Sequence, residues 1–145
     1  MMQTVIQRLK DAAAQEEGAL PLKYVAGAAE FAALEGPPPK HLQPGAYVIR
    51  TTDRAAPSEL IGKHRQHVTL GIAVVLALGN LADPRGAGAA AAMDALERDV
   101  ALRLVGWMPT GAIKALSYQG ARTLGLRDQV VWRQLDFTLV TKLQP

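Results

Sequence analysis

The chain has 145 residues, 49% apolar and 20% charged, with no cysteine and a formal net charge of +3. That length fits a single domain able to bury a core without metal or disulfide help, and the absence of cysteine excludes disulfides, thiol nucleophiles and Cys-based zinc sites. The basic excess is thin: residues 41–85 carry five Lys/Arg against three Asp/Glu and 113–145 carry five against two, while 1–40 and 86–112 are each one negative, so the dense basic stripe of a nucleic-acid binder is missing.

The first segment reads as an amphipathic helix. Met2, Val5, Ile6, Leu9, Ala12 and Ala13 fall on one face, with Gln7, Arg8, Lys10 and Asp11 opposite, and Glu16, Glu17 and Gly18 end it. The charges inside this pattern are unlike a secretory signal. The longest apolar run, 72–78, is far short of the roughly 20 residues of a membrane helix, so a soluble, cytoplasmically made protein with no membrane partner is expected. Residues 22–25 suit a short strand and 27–34 a short helical piece. Four prolines in 35–45 then favour an extended connector. A strand over 46–52 places Tyr47 and Ile49 on one side and Val48 on the other, and 51–66 follows as a long polar loop. The connections near 35–45 and 51–66 are expected to be mobile.

The strongest strand signal is 67–79. Val68, Leu70, Ile72, Val74, Leu76 and Leu78 alternate with Thr69, Gly71, Ala73, Val75, Ala77 and Gly79. The large face suits packing against helices; the small face suits either a crowded second core layer or close approach by another subunit. Residues 80–88 read as a loop in which Asp83-Pro84 offers a helix cap. A helix to about 105 follows, with Ala89, Met93, Leu96, Val100 and Leu104 as its apolar stripe and Asp94, Glu97 and Arg98 facing water. After Gly106, Pro109 and Gly111 the pattern turns to strands at 113–118, 122–126 and 130–142, with turns at Gln119-Gly120 and near Arg127-Asp128. In the last strand Val131, Leu135, Phe137 and Leu139 share one face, and Trp132, Gln134, Asp136 and Thr138 the other. The predicted architecture is α+β: a mostly antiparallel sheet with helices packed on one face, in a single domain.

Catalytic chemistry finds no complete constellation. Gly86 to Ala91 fits G-x-G-x-x-G/A, but six residues separate Gly79 from Gly86 and no acidic residue stands at a second strand's end about 20 positions on. His64 and His67 point to opposite faces of a strand, and no carboxylate or cysteine cluster joins them or His41. Ser58 and Ser117 lie in no G-x-S-x-G elbow, there is no phosphate loop, and Asp94 and Glu97 read as a solvated helix face. No catalytic, cofactor-binding or metal-binding residue is predicted, and no cofactor.

The second half carries the recognisable pattern: the strand AVVLALGNLADPRG, the helix AMDALERDVALRLVGWMP, and SYQGARTLGLRDQVVWRQLDFTLVTKL. Across roughly residues 66–142 this succession resembles the tail terminator, or tail completion, proteins of bacteriophages. It is carried by residues 80–86, the turn Gly106-Trp107-Met108-Pro109, and Trp132 with Phe137. The resemblance implies a structural virion protein that forms a ring, typically a homohexamer, at the head-proximal end of the tail tube. There it halts tube polymerisation and offers a surface to the head–tail connector, with DNA passing through the lumen unread. The expected partners are other copies of the chain, the tube protein, the connector and, where the tail has one, the sheath protein. Candidate contact residues are Arg54, Lys63, His64 and Arg65 in the 51–66 segment and Arg50 and Arg133 on strands, since interfaces favour the planar guanidinium; each also reads as a solvated surface charge. Trp107 and Trp132 read as core or cover residues. The rival readings are a head–tail connector or another tail-completion protein, a small basic nucleic-acid-binding module, and an enzyme with an unrecognised site.

Overall fold

The computed structural model describes residues 1–79 and 87–145. In chain order these form α1 (Met2–Ala13), β1 (Tyr24–Gly27), α2 (Ala28–Ala32), a single 3-10 turn (Lys40–Leu42), β2 (Gly45–Ala55), β3 (Gln66–Gly79), α3 (Ala87–Leu104), β4 (Ala112–Arg127) and β5 (Val130–Leu143). The strands make one sheet in the order β1-β2-β3-β5-β4. Every pairing is antiparallel except β1 with β2. The mostly antiparallel α+β expectation therefore holds.

The sheet is organised around β3, which is hydrogen-bonded along its length to β5 and over most of it to β2. A strand flanked on both sides can bury both faces, and eight consecutive residues, 70–77, are buried. On the large face, Leu70, Ile72, Val74 and Leu76 stand beside Leu139, Phe137 and Leu135 of β5 and Ala46 and Val48 of β2. Onto this floor α1 lays Val5, Ile6, Leu9 and Ala12, and α3 lays Met93, Leu96, Val100 and Leu104. The stripe predicted for each helix is thus the stripe that is buried, with Ala89 of the second outside the described side chains. Arg8 and Arg103 tie the two helices together: Arg8 Nε donates to the Arg103 carbonyl at 2.9 Å, and Arg103 Nη1 donates to Gln15 Oε1 at 2.7 Å. The Arg8 guanidinium also lies over the Trp107 ring, 4.7 Å from its centroid.

The other face carries a second, smaller core, which settles one use of the small residues on β3. Tyr47, Ala26 and Val75 are buried there, with Tyr24, Phe31, Leu34, Ile49 and Trp132 packed around them. The rings meet at tilted and edge-on angles, Phe31–Tyr47 at 5.5 Å and Phe31–Trp132 at 6.2 Å. Phe31 belongs to α2, so the shortest helix departs from the one-sided arrangement of the other two. Further along the same face, glycine at position 71 has a direct steric reason. A Cβ there would collide with Thr52 Oγ1 and lie 2.7 Å from Thr51 Oγ1, where β2 shifts register between Arg50 and Thr52.

Several boundaries differ from the sequence reading. The first strand lies two residues later than 22–25, because Val25 and Ala26 pair with Ala46 and Tyr47 of β2. Residues 51–55 are not loop: β2 continues to Ala55, paired with Val68, and the connection shrinks to 56–65. Polar residues are tolerated there because that end of the strand is exposed on both faces. No turn breaks the chain at Gln119-Gly120. β4 is one sixteen-residue strand that absorbs the irregularity as a register shift between Tyr118 and Gly120, with Gly120 at φ 136°. The hairpin turn falls at Asp128-Gln129, both left-handed with φ of 50° and 64°, as a two-residue turn between right-twisted strands requires. The loop at 80–88, its Asp83-Pro84 cap and the glycine motif starting at Gly86 lie wholly or partly outside the described residues.

Two outcomes test this account. Phe137→Ala removes a ring that is 1% exposed and packed against Tyr118; it should cost about 3–5 kcal/mol in urea denaturation. Gln129→Gly relieves a left-handed non-glycine position and should raise stability by up to about 1 kcal/mol by the same measurement.

Candidate assembly interface

Five of the six predicted contact residues gather on one hairpin. The β2–β3 pair carries Arg50 and Arg54 on β2, with Lys63, His64 and Arg65 in the 56–65 connection at its end. Arg50 is exposed and 3.4 Å from Asp53, a surface pair of small energetic weight. Arg54 is exposed opposite Thr69. The connection closes on itself through Glu59, whose two carboxylate oxygens meet Arg65 Nη2 and His67 Nε2, each at 3.2 Å. The Arg65 amide donates to Ser58 Oγ at 3.2 Å, and the Glu59 amide to the Arg65 carbonyl at 3.0 Å. His64 Nε2 lies 2.5 Å from Gln66 Oε1. This network leaves Lys63 pointing outward beside Ile61, which is 103% exposed.

Arg133 lies apart, on the helix-covered face of β5. Its Nε donates to Glu97 Oε2, its Nη2 to Glu97 Oε1 at 3.4 Å, and its Nη1 to Thr123 Oγ1 at 2.7 Å. Glu97 is therefore not on a solvated face as its helix position suggested: its side chain is only 16% exposed, held by the arginine from the strand below. The hydrogen bond with Glu97 raises the Arg133 pKa further, burial opposing it. Burial also pushes the Tyr118 phenol up, the neighbouring Glu97 charge adding and Arg133 opposing. On the sheet's other face, burial raises Tyr47, with Tyr24 adding. Arg133 and Tyr118, both hydrogen-bonded to Glu97, hold α3 to the sheet. Among the described residues no three His, Asp or Glu side chains are placed to hold a metal ion, and no helix is long and apolar enough to cross a membrane.

The feature that sequence reasoning missed sits at the opposite end of the sheet. An open cleft of about 530 Å³ runs between α2 with its following Glu35-Gly36-Pro37 and the β4–β5 hairpin, lined by Phe31, Leu34, Leu124 and Trp132. Glu35, Asp128 and Arg127 stand at its rim. Trp132 accordingly serves two roles, covering Phe31 and walling the cleft. The only sequence signal was the pairing of aromatic residues with a Pro/Gly-rich connector, and nothing in the sequence placed the hairpin opposite them. A second groove, beside α3, exposes Leu102 and Val105 next to Tyr118.

The family model described as phage tail terminator protein matches residues 1–144. The chain belongs to the phage tail terminator family. It is thus a structural protein of the phage tail type, and the resemblance seen in its second half extends over nearly all of it. Among solved structures, the terminator chain is similar to one from the "Virion of native gene transfer agent (GTA) particle", with a TM-score of 0.53 and 18% identity over 99% of this chain and 95% of that one. At that identity the likeness is one of fold. No curated protein sequence matches it.

The Glu97–Arg133 pair yields a prediction for the terminator's own stability. Glu97→Ala leaves a half-buried guanidinium without its carboxylate and should cost about 1–3 kcal/mol in urea denaturation. The double variant Glu97→Leu with Arg133→Met, which removes both charges and keeps bulk, should lie within about 1 kcal/mol of the natural chain.

Proposed function

We propose that this chain closes the head-proximal end of a phage tail tube as a homohexameric ring, stopping polymerisation of the tube protein and joining the tail to the head–tail connector. The family match over residues 1–144 carries the reading. The geometry supports it: a ring needs heterologous contacts, in which one surface of a copy meets a different surface of the next. The sheet offers two unlike ends, a basic hairpin and an aromatic cleft. Arg50, Arg54, Lys63, His64 and Arg65 are assigned to subunit or tube contacts, whereas Arg133, engaged with Glu97, positions α3. The role is structural rather than enzymatic, in keeping with the family. The ring is assembled in the host cytoplasm, resides in the virion tail, and touches the sheath protein where the tail has one. DNA passes through its lumen without being read, as the thin basic excess permits.

Purified protein added to polymerising tube protein should give shorter tubes, each bearing a ring at one end in negative-stain images. A gene deletion should give tails of uncontrolled length. Tubes that lengthen normally in its presence, together with tails of fixed length after the deletion, would overturn the reading.

A further inference from the structure

We infer that the 56–65 connection of one copy seats in the cleft between α2 and the β4–β5 hairpin of the next, with Ile61 as the inserted side chain. The inference rests on the ring reading above and names the surfaces that join its subunits.

Four observations carry it. Ile61 is an isoleucine with no cover in its own chain, held outward on a connection that Glu59, Ser58, Arg65 and His67 fasten from behind. The cleft is the complementary shape: an open concave site of the size of a binding pocket, with Phe31, Leu34, Leu124 and Trp132 in its walls among charged and polar neighbours. The two lie at opposite ends of the fourteen-residue β3, since Gln66 starts it beside the connection and Gly79 ends it opposite Val130. That separation is roughly 40 Å at about 3.3 Å per residue, so one copy cannot fill its own cleft, and the contact joins a head to a tail. Finally, the charges oppose. The connection carries Lys63 and Arg65 against Glu59, one net positive, and the cleft rim carries Glu35 and Asp128 against Arg127, one net negative.

The β4 edge of the sheet points the same way. β4 is an edge strand interrupted by four register shifts; bulged edges resist strand addition.

The absence of cysteine makes the test free of background. Ile61→Cys and Leu124→Cys variants are prepared separately, mixed under assembly conditions with the tube protein, and oxidised. The expected result is a disulfide-linked dimer of the two variants in excess of either homodimer, and a ladder of linked copies for the double variant. Ile61→Asp, at a fully exposed position where folding is unaffected by circular dichroism, should weaken assembly roughly tenfold or more. If rings form but no mixed dimer appears and Ile61→Asp rings are intact, the inference falls and the ring reading stands. Linkage of Ile61→Cys to a cysteine-bearing tube protein instead of Leu124→Cys would likewise overturn it in favour of a tube contact. A protein that stays monomeric on and off tube ends overturns both.

Discussion

The structure depends on β3 having two unlike faces, both buried. Because β2 and β5 flank it, its backbone polar groups are paired on both sides and its side chains alone decide what each face accepts. The large face, from Leu70 to Leu76, sets the height at which α1 and α3 pack. The small face lets backbone and rings approach closely. Val75 packs beside its cross-strand partner Tyr47, and Gly71 leaves room for the two threonines at the β2 register shift. Exchanging the faces by a one-residue slip would drive Ile72 and Val74 into the aromatic cluster and leave the helices resting on glycine and alanine. The alternation therefore specifies the register of β2 and β5, and with it the positions of both sheet ends.

Those ends inherit different chemistry from the same strand. At the Gln66 end the sheet outruns its helices, so 51–55 are exposed on both faces and polar. At the Gly79 end α2 and the β4–β5 hairpin rise over the small face and enclose the aromatic residues without closing over them. A basic projection and a hollow with aromatic walls are the product of one geometric fact: the cover on each face is shorter than the sheet.

Sequence periodicity captured whatever depends on one strand or one helix. The stripes of α1 and α3, the alternation of 67–79 and the two faces of the last strand are all local patterns, and they survive in the fold. What it missed depends on pairing. Residues 53–55 are too polar to read as strand, and are one only because Ala55 meets Val68 across the hairpin. Gln119-Gly120 has turn chemistry, but β5 runs on alongside and turns the irregularity into a bulge. Glu97 follows the polar side of its helix wheel; the fact that decides its environment is Arg133, 36 residues away. The basic residues illustrate the same limit. Arg65, Lys63 and Arg133 look alike as letters, but one is fastened to Glu59, one is free at a hairpin end and one is half-buried beneath a helix. The cleft was invisible because its walls come from residues 31–37 and 124–132, which only the sheet order brings together.

An open, flat sheet edge is a template that propagates: each added strand presents a new edge of the same kind. A chain whose proposed task is to end a polymer has reason not to offer one. The four register shifts of β4 blunt that template on one side. Contacts made by a knob and a hollow at opposite ends of a subunit behave differently, because the rotation between successive copies decides whether the chain of contacts continues as a filament or returns to its start. Since the register on β3 fixes where the hairpin end and the cleft stand relative to one another, the same alternation that builds the core would set that rotation, and so whether the assembly closes.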